Sequence, residues 1–153
     1  MIPNMHSDPD ILRVGHLLAD AARAAILPHF RQADLIADNK FQSGYDPVTE
    51  ADRAAERAMR DILARERPND AILGEEYGIA EGTSGLTWVL DPIDGTRGFV
   101  SGTPTWGVLI AVSNADGPFF GIIDQPYIRE RFVGHSGQAE VSLSWMGCLC
   151  SRG

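Results

Sequence analysis

The order of periodicities along the chain predicts an α+β fold, with N-terminal helices packed on an antiparallel β-sheet. Two stretches with apolar residues at helical spacing come first. Four runs rich in β-branched and aromatic residues follow, separated by turn formers such as "NADG". The 153 residues are 44% hydrophobic and 22% charged, enough for one core and hence one principal domain.

The first helix is expected from Asp10 to about Phe30, where Ile11, Val14, Leu17, Leu18, Ala21, Ala22, Ala25 and Ile26 recur on one side. Ser7 or Asp8 supplies a cap, Pro9 suits a first turn, and Pro28 marks the end. "ADLIADNKF" then reads as extended and "QSGYDP" as a loop. A second helix is expected from Thr49 to about Arg67. Thr49 and Asp52 resemble a capping box, and Ala51, Ala55, Met59, Ile62 and Leu63 form one apolar face.

A short apolar segment, "AILG", leads to Glu75 and Glu76. The strands are "LTWVLD", "TPTWGVLIAV", "GPFFGIID" and "RERFVGH", and Trp88 and Trp106 are assigned to the core. Residues 1–140 form the expected domain. The tail, 141–153, differs in residue usage, since it carries both cysteines in a chain whose only lysine is Lys40. It reads as a truncation or a change of reading frame, with an unusual genuine tail as the other reading.

The formal charge is −8 and the pI about 4.8, which argues against nucleic acid, since phosphate backbones are held by clustered Lys and Arg. A small phosphorylated metabolite remains compatible, because a bound cation inverts the local charge. No apolar run approaches the ~20 residues of a membrane span. The start, "MIPNMHSDPD", lacks the pattern of a signal peptide. Cys148 and Cys150 are too near in sequence for a good disulfide, so a reducing cytoplasm is expected. The histidines lack zincin spacing, and no phosphate-loop lysine motif is present.

The carboxylates carry the chemistry. Hard cations such as Mg²⁺ prefer carboxylate, carbonyl and water oxygens, and Asp46, Glu75, Glu76, Asp91 and Asp94 fall in loops or at strand ends. Asp91 closes the apolar run "WVL", Pro92 fixes the bend, and Asp94 stands at a helical turn that begins with Gly95 and Thr96. Helix-start amides accept phosphate. One turn can thus offer carboxylates to cations and N–H groups to an anion, and two ions about 3.5–4 Å apart would polarise a phosphate ester and activate water.

"DPVTEAD" (46–52), "GEE" (74–76) and "WVLDPIDGT" (88–96) resemble, in order and approximate spacing, the inositol monophosphatase family. The stretches "SGYDPVTEAD", "GEEYG" and "RGFVSGTPTWGVLIAV" look most like its histidinol-phosphate phosphatase branch. The resemblance covers about residues 10–140 and implies a Mg²⁺-dependent phosphomonoesterase with a layered αβαβα sandwich. It implies that Glu75, Asp91 and the Ile93 carbonyl hold a first ion, and that Asp91 and Asp94 share a second. Gly95 and Thr96 would give amides to the phosphate, Thr96 with Asp46 would orient the attacking water, and Glu76 would lie beside the ligands. The C-terminal α/β domain of the family, with its "W-D-x-A-A-G"-like motif, has no counterpart here. The 153 residues alone are therefore expected to be weak or inactive. The rival reading is a non-catalytic metal- or phosphate-binding module, or a remnant that folds only with a partner chain, and a homodimer is a possible assembly. Inositol, sugar or nucleotide phosphates are the rival substrates.

Overall fold

The computed structural model describes residues 9–32, 47–135, 137–145 and 148–149. The expected cap at Ser7 or Asp8, the stretch "ADLIADNKF", and the loop "QSGYDP" as far as Asp46 lie outside the described residues. Helix α1 spans Pro9–Ile26 and ends in a short 3₁₀ turn, Leu27–His29, that takes up Pro28. Its stripe of Ile11, Val14, Leu18, Ala22 and Ile26 is buried, as the helical period demands, whereas Leu17, expected with them, lies at the stripe's edge and is exposed.

Helix α2 spans Pro47–Glu66, two residues earlier than the sequence pattern indicated. Thr49 is inside its first turn, so the Thr49/Asp52 box is not the cap. Pro47 explains the shift: its missing N–H and fixed φ suit the first position of a helix. Ala51, Ala55, Met59 and Leu63 are buried, as expected for the apolar face.

The strands are β1 (Ala71–Gly74), β2 (Gly78–Ala80), β3 (Thr87–Asp94), β4 (Gly107–Asn114), β5 (Gly117–Gln125), β6 (Glu130–His135), β7 (Gln138–Trp145) and β8 (Cys148–Leu149). They lie in the order β2-β1-β3-β4-β5-β6-β7-β8. The α+β layer is as expected, and every neighbouring pair is antiparallel except β1 with β3, which run parallel. Strand β7 pairs with β6 across the 140/141 boundary, so regular structure continues into the stretch that the sequence left without an element.

One face of the sheet carries the core. Trp88 and Leu90 of β3, Val108, Ile110 and Val112 of β4, and Phe120 and Ile122 of β5 pack in one cluster with the buried stripes of α1 and α2. The Trp88 indole N–H donates to Asp70 Oδ2 at 2.9 Å, which removes the penalty of burying a lone donor. Asp124 of β5, fully buried, accepts from Arg23 of α1 at 2.6 Å and from Arg131 of β6 at 2.8 Å. On the opposite face Val89, Leu109, Ala111, Ile123, Phe132 and Val141 line an open hollow of about 660 Å³. Among the described residues no helix is long and apolar enough to cross a membrane.

Candidate metal and phosphate site

The parallel pairing sets the site. Gly74 stands opposite Leu90, so both strands point their C-terminal ends the same way. Glu75 and Asp91 therefore leave the sheet side by side. The Glu75 N–H donates to the Leu90 carbonyl at 3.3 Å, and Glu75 is the neighbouring carboxyl that acts most directly on Asp91.

Strand β3 does not stop at Asp91, as the sequence suggested, but runs on to Asp94. The register against β4 slips between these two aspartates, with Asp91 opposite Leu109 and Asp94 opposite Gly107. A bulge re-aims side chains at the end of a strand. Here it covers Pro92 and Ile93, whose side chains are buried, while Asp94 is exposed.

Gly95 follows with φ 87° and starts α3, Thr96–Ser101. A Cβ there would lie 2.7 Å from the Thr105 carbonyl oxygen, so both the left-handed backbone and the close approach require glycine. The amides of Gly98 and Phe99 bond the Gly95 carbonyl. Those of Thr96 and Arg97 precede any intrahelical acceptor. Phe99 anchors the helix, its ring 5.3 Å from Phe30 and 5.1 Å from Trp106. Trp106 is buried, as the sequence assigned it.

Electrostatics distinguish this corner from an ordinary turn. Burial, then the Glu75 hydrogen bond, then the charges of Glu75 and Asp94 push the Asp91 carboxyl up to about 7. Its Oδ1 is buried with no hydrogen-bond partner, a state that native proteins avoid unless something else satisfies it. A partnerless buried carboxylate oxygen, with the Glu75 and Asp94 carboxyls acting on the same group, offers hard donors to a hard cation. Among the described residues no three Asp, Glu, His or Cys side chains already converge on one point. Glu75 and Asp91 leave adjacent strand ends, and the charges of Glu75 and Asp94 both act on Asp91. These residues fit a cation, which would offset the burial and the neighbouring negative charges that raise Asp91.

Glu76 points elsewhere: its carboxylate lies 3.7 Å from Arg53. Burial pushes its carboxyl up, with Arg53 opposing and the Glu56 and Glu75 charges adding. Asp46, expected beside Thr96, lies outside the described residues. Sequence reading missed Glu56, which is fully buried on α2 and accepts from the Glu76 N–H at 2.7 Å and the Tyr77 N–H at 3.1 Å. The signal was present, because Glu56 interrupts the apolar stripe between Ala55 and Met59.

The family model described as the inositol monophosphatase family matches residues 9–144. A histidinol-phosphatase of Streptomyces coelicolor is 45% identical over 127 residues, 80% of this chain and 47% of that protein. A chloroplastic bifunctional phosphatase of Arabidopsis thaliana is 43% identical over 141 residues, 89% of this chain and 40% of that one. Among solved structures, an inositol monophosphatase from Zymomonas mobilis superposes with a TM-score of 0.74 at 43% identity, covering 88% of this chain and 51% of that one. The chain thus spans about half the length of the relatives it matches.

Proposed function

From a chain that belongs to the inositol monophosphatase family, we propose the cation- and phosphate-holding part of a Mg²⁺-dependent phosphomonoesterase whose substrate is histidinol phosphate. The observation that carries the reading is the Glu75–Asp91 pair with its buried, unpartnered Asp91 Oδ1, beside the glycine-started turn at Thr96. The names of the relatives support a phosphatase, and the histidinol-phosphatase of Streptomyces coelicolor supports the substrate. The likeness to the Zymomonas mobilis enzyme keeps inositol monophosphate as the second substrate to test.

In this reading Glu75, Asp91 and the Ile93 carbonyl hold one ion, and Asp91 with Asp94 hold another. Bound there, Mg²⁺ supplies charge to polarise the ester and lower the pKa of water. Gly95 and Thr96 present amides to the phosphate oxygens. The Thr96 hydroxyl and Asp46 would together orient the attacking water. Glu76 keeps its carboxylate near Arg53 and shapes the hydrogen bonding around the ligands. A cytoplasmic setting and a small phosphorylated partner belong to the same proposal.

The 153 residues alone are expected to turn over slowly, because phosphoryl transfer depends on positioning by a full set of donors. The test is phosphate release from histidinol phosphate and from inositol 1-phosphate, with Mg²⁺ and with chelator, for this chain and its Asp91→Asn variant. Weak, Mg²⁺-dependent release that Asp91→Asn abolishes is expected. Release that survives chelator or Asp91→Asn overturns the assignment of the site. Turnover at the rate of a full-length relative overturns the claim that more donors are needed.

A further inference from the structure

The turn that carries Glu75 has little regular structure of its own. Strand β1 ends at Gly74 and β2 begins at Gly78, so three residues must reverse the chain while keeping Glu75 beside the strand end that bears Asp91. Hairpin hydrogen bonds alone leave the amides of such a turn to solvent. Here both amides after Glu75 are instead taken by one side chain. Glu56 Oε2 accepts from Glu76 and Oε1 from Tyr77. The carboxylate is neutralised by Arg60, one helical turn on, whose Nε donates to Oε1 at 2.8 Å. The same guanidinium donates to the Gly78 carbonyl, so Glu56 and Arg60 together clasp both ends of the turn.

The clasp needs room, and the sequence supplies it. A Cβ on Gly74 would lie 1.9 Å from Glu56 Oε1 and 2.4 Å from its Cδ. Gly74 is therefore the opening through which a helix carboxylate reaches a strand end. On the far side, Glu75 is fixed by its own N–H on the Leu90 carbonyl. Glu75 is thus bracketed by three successive backbone bonds, one to the strand that bears Asp91 and two to α2.

Resting on the reading of Glu75 and Asp91 as cation ligands, we propose that Glu56 is a positioning residue for the cation site. It locks the Glu75 turn to α2, so that the Glu75 carboxyl is already placed against Asp91 before an ion arrives. Groups that orient ligands in this way typically contribute 10–100-fold in metal affinity. Replacing Glu56 by Gln puts an N–H₂ where one oxygen now accepts, so one of the two amides loses its partner and Arg60 loses its counter-charge.

The experiment uses the 153-residue chain, with Mn²⁺ alone as the probe. It reads affinity by calorimetry and, in metal-free protein, amide exchange at Glu76 and Tyr77. For Glu56→Gln, a 10–100-fold weaker Mn²⁺ affinity is expected, together with lost protection at those two amides and unchanged protection in β4 and β5. Should that variant not fold, Glu56→Asp, which keeps the charge beside Arg60 but falls one methylene short of the amides, is expected to show the same pair of effects. Exposed amides with unaltered Mn²⁺ affinity overturn the positioning role while leaving the cation site standing. No Mn²⁺ uptake by the unsubstituted chain overturns the cation site itself, and the inference with it.

Discussion

Asp91→Asn should stabilise the metal-free protein at neutral and alkaline pH while removing its capacity for cations. The Asp91 carboxyl is raised from 3.8 to about 7 in the fold, first by burial and then by Glu75 and Asp94. An acid whose folded pKa is raised binds more protons folded than unfolded, so stability falls as pH climbs from about 4 to about 7. A rise of about three units has a ceiling of ~4 kcal/mol. Asp91 is only partly buried, and solvent screening reduces this to ~1–2 kcal/mol. Asparagine keeps the shape, cannot ionise, and offers an N–H to Glu75. Urea denaturation in chelator at pH 4.5 and pH 8 reads the difference. The wild type should lose about that amount of stability between the two pH values beyond any loss in Asp91→Asn, and the variant should be the more stable at pH 8. With Mg²⁺ in excess at pH 8 the order should reverse, because only the wild type gains from binding. If Asp91→Asn proves less stable than wild type at pH 8 in chelator, the ionised carboxylate makes a favourable bond, and the reasoning from its burial and negative neighbours is wrong.

Gly95→Ala forces an alanine into φ 87° and sets its Cβ against the Thr105 carbonyl. It should lower stability by ~2 kcal/mol or more and weaken inorganic phosphate binding, read by denaturation and by ³¹P line broadening. Asp124→Ala leaves Arg23 and Arg131 without their shared buried partner, so a loss of ~3–5 kcal/mol is expected from thermal unfolding. A loss under ~1 kcal/mol would show that water replaces Asp124 there.

The "DPIDGT" turn was legible because its punctuation is local: a carboxylate ending an apolar run, a proline, then a glycine before a helical turn. The bulge between Asp91 and Asp94 was not, because register depends on β4 and not on the turn. "AILG" is too short to show alternation, so nothing in it announced that β1 runs parallel to β3. Thr49 and Asp52 imitate a capping box, yet Pro47 opens the helix, since a residue lacking an N–H loses nothing there. In β7 the alternation of "VSLSW" was present, but Val141 and Leu143 stay about 40% exposed, and a strand that buries little apolar surface gives a weak signal. Glu56 was passed over because a single charge in a helix reads as a solvated position. Its value depends on Gly74, a neighbour only in three dimensions.

The single parallel pairing also orders the assembly of the molecule. From β4 to β7 each strand joins its sequence neighbour through a short reversal, so little chain entropy is lost at each closure. Joining β1 to β3 must enclose β2 and the loop from Glu81 to Leu86, a larger loop with a larger entropic cost. The two paired acids stand on either side of that one seam. If it parts, Glu75 and Asp91 separate while the meander of hairpins keeps every bond it has. The paired acids of this protein thus stand on either side of a seam between two strands distant in sequence, and binding an ion across that seam is also a way of sewing it shut.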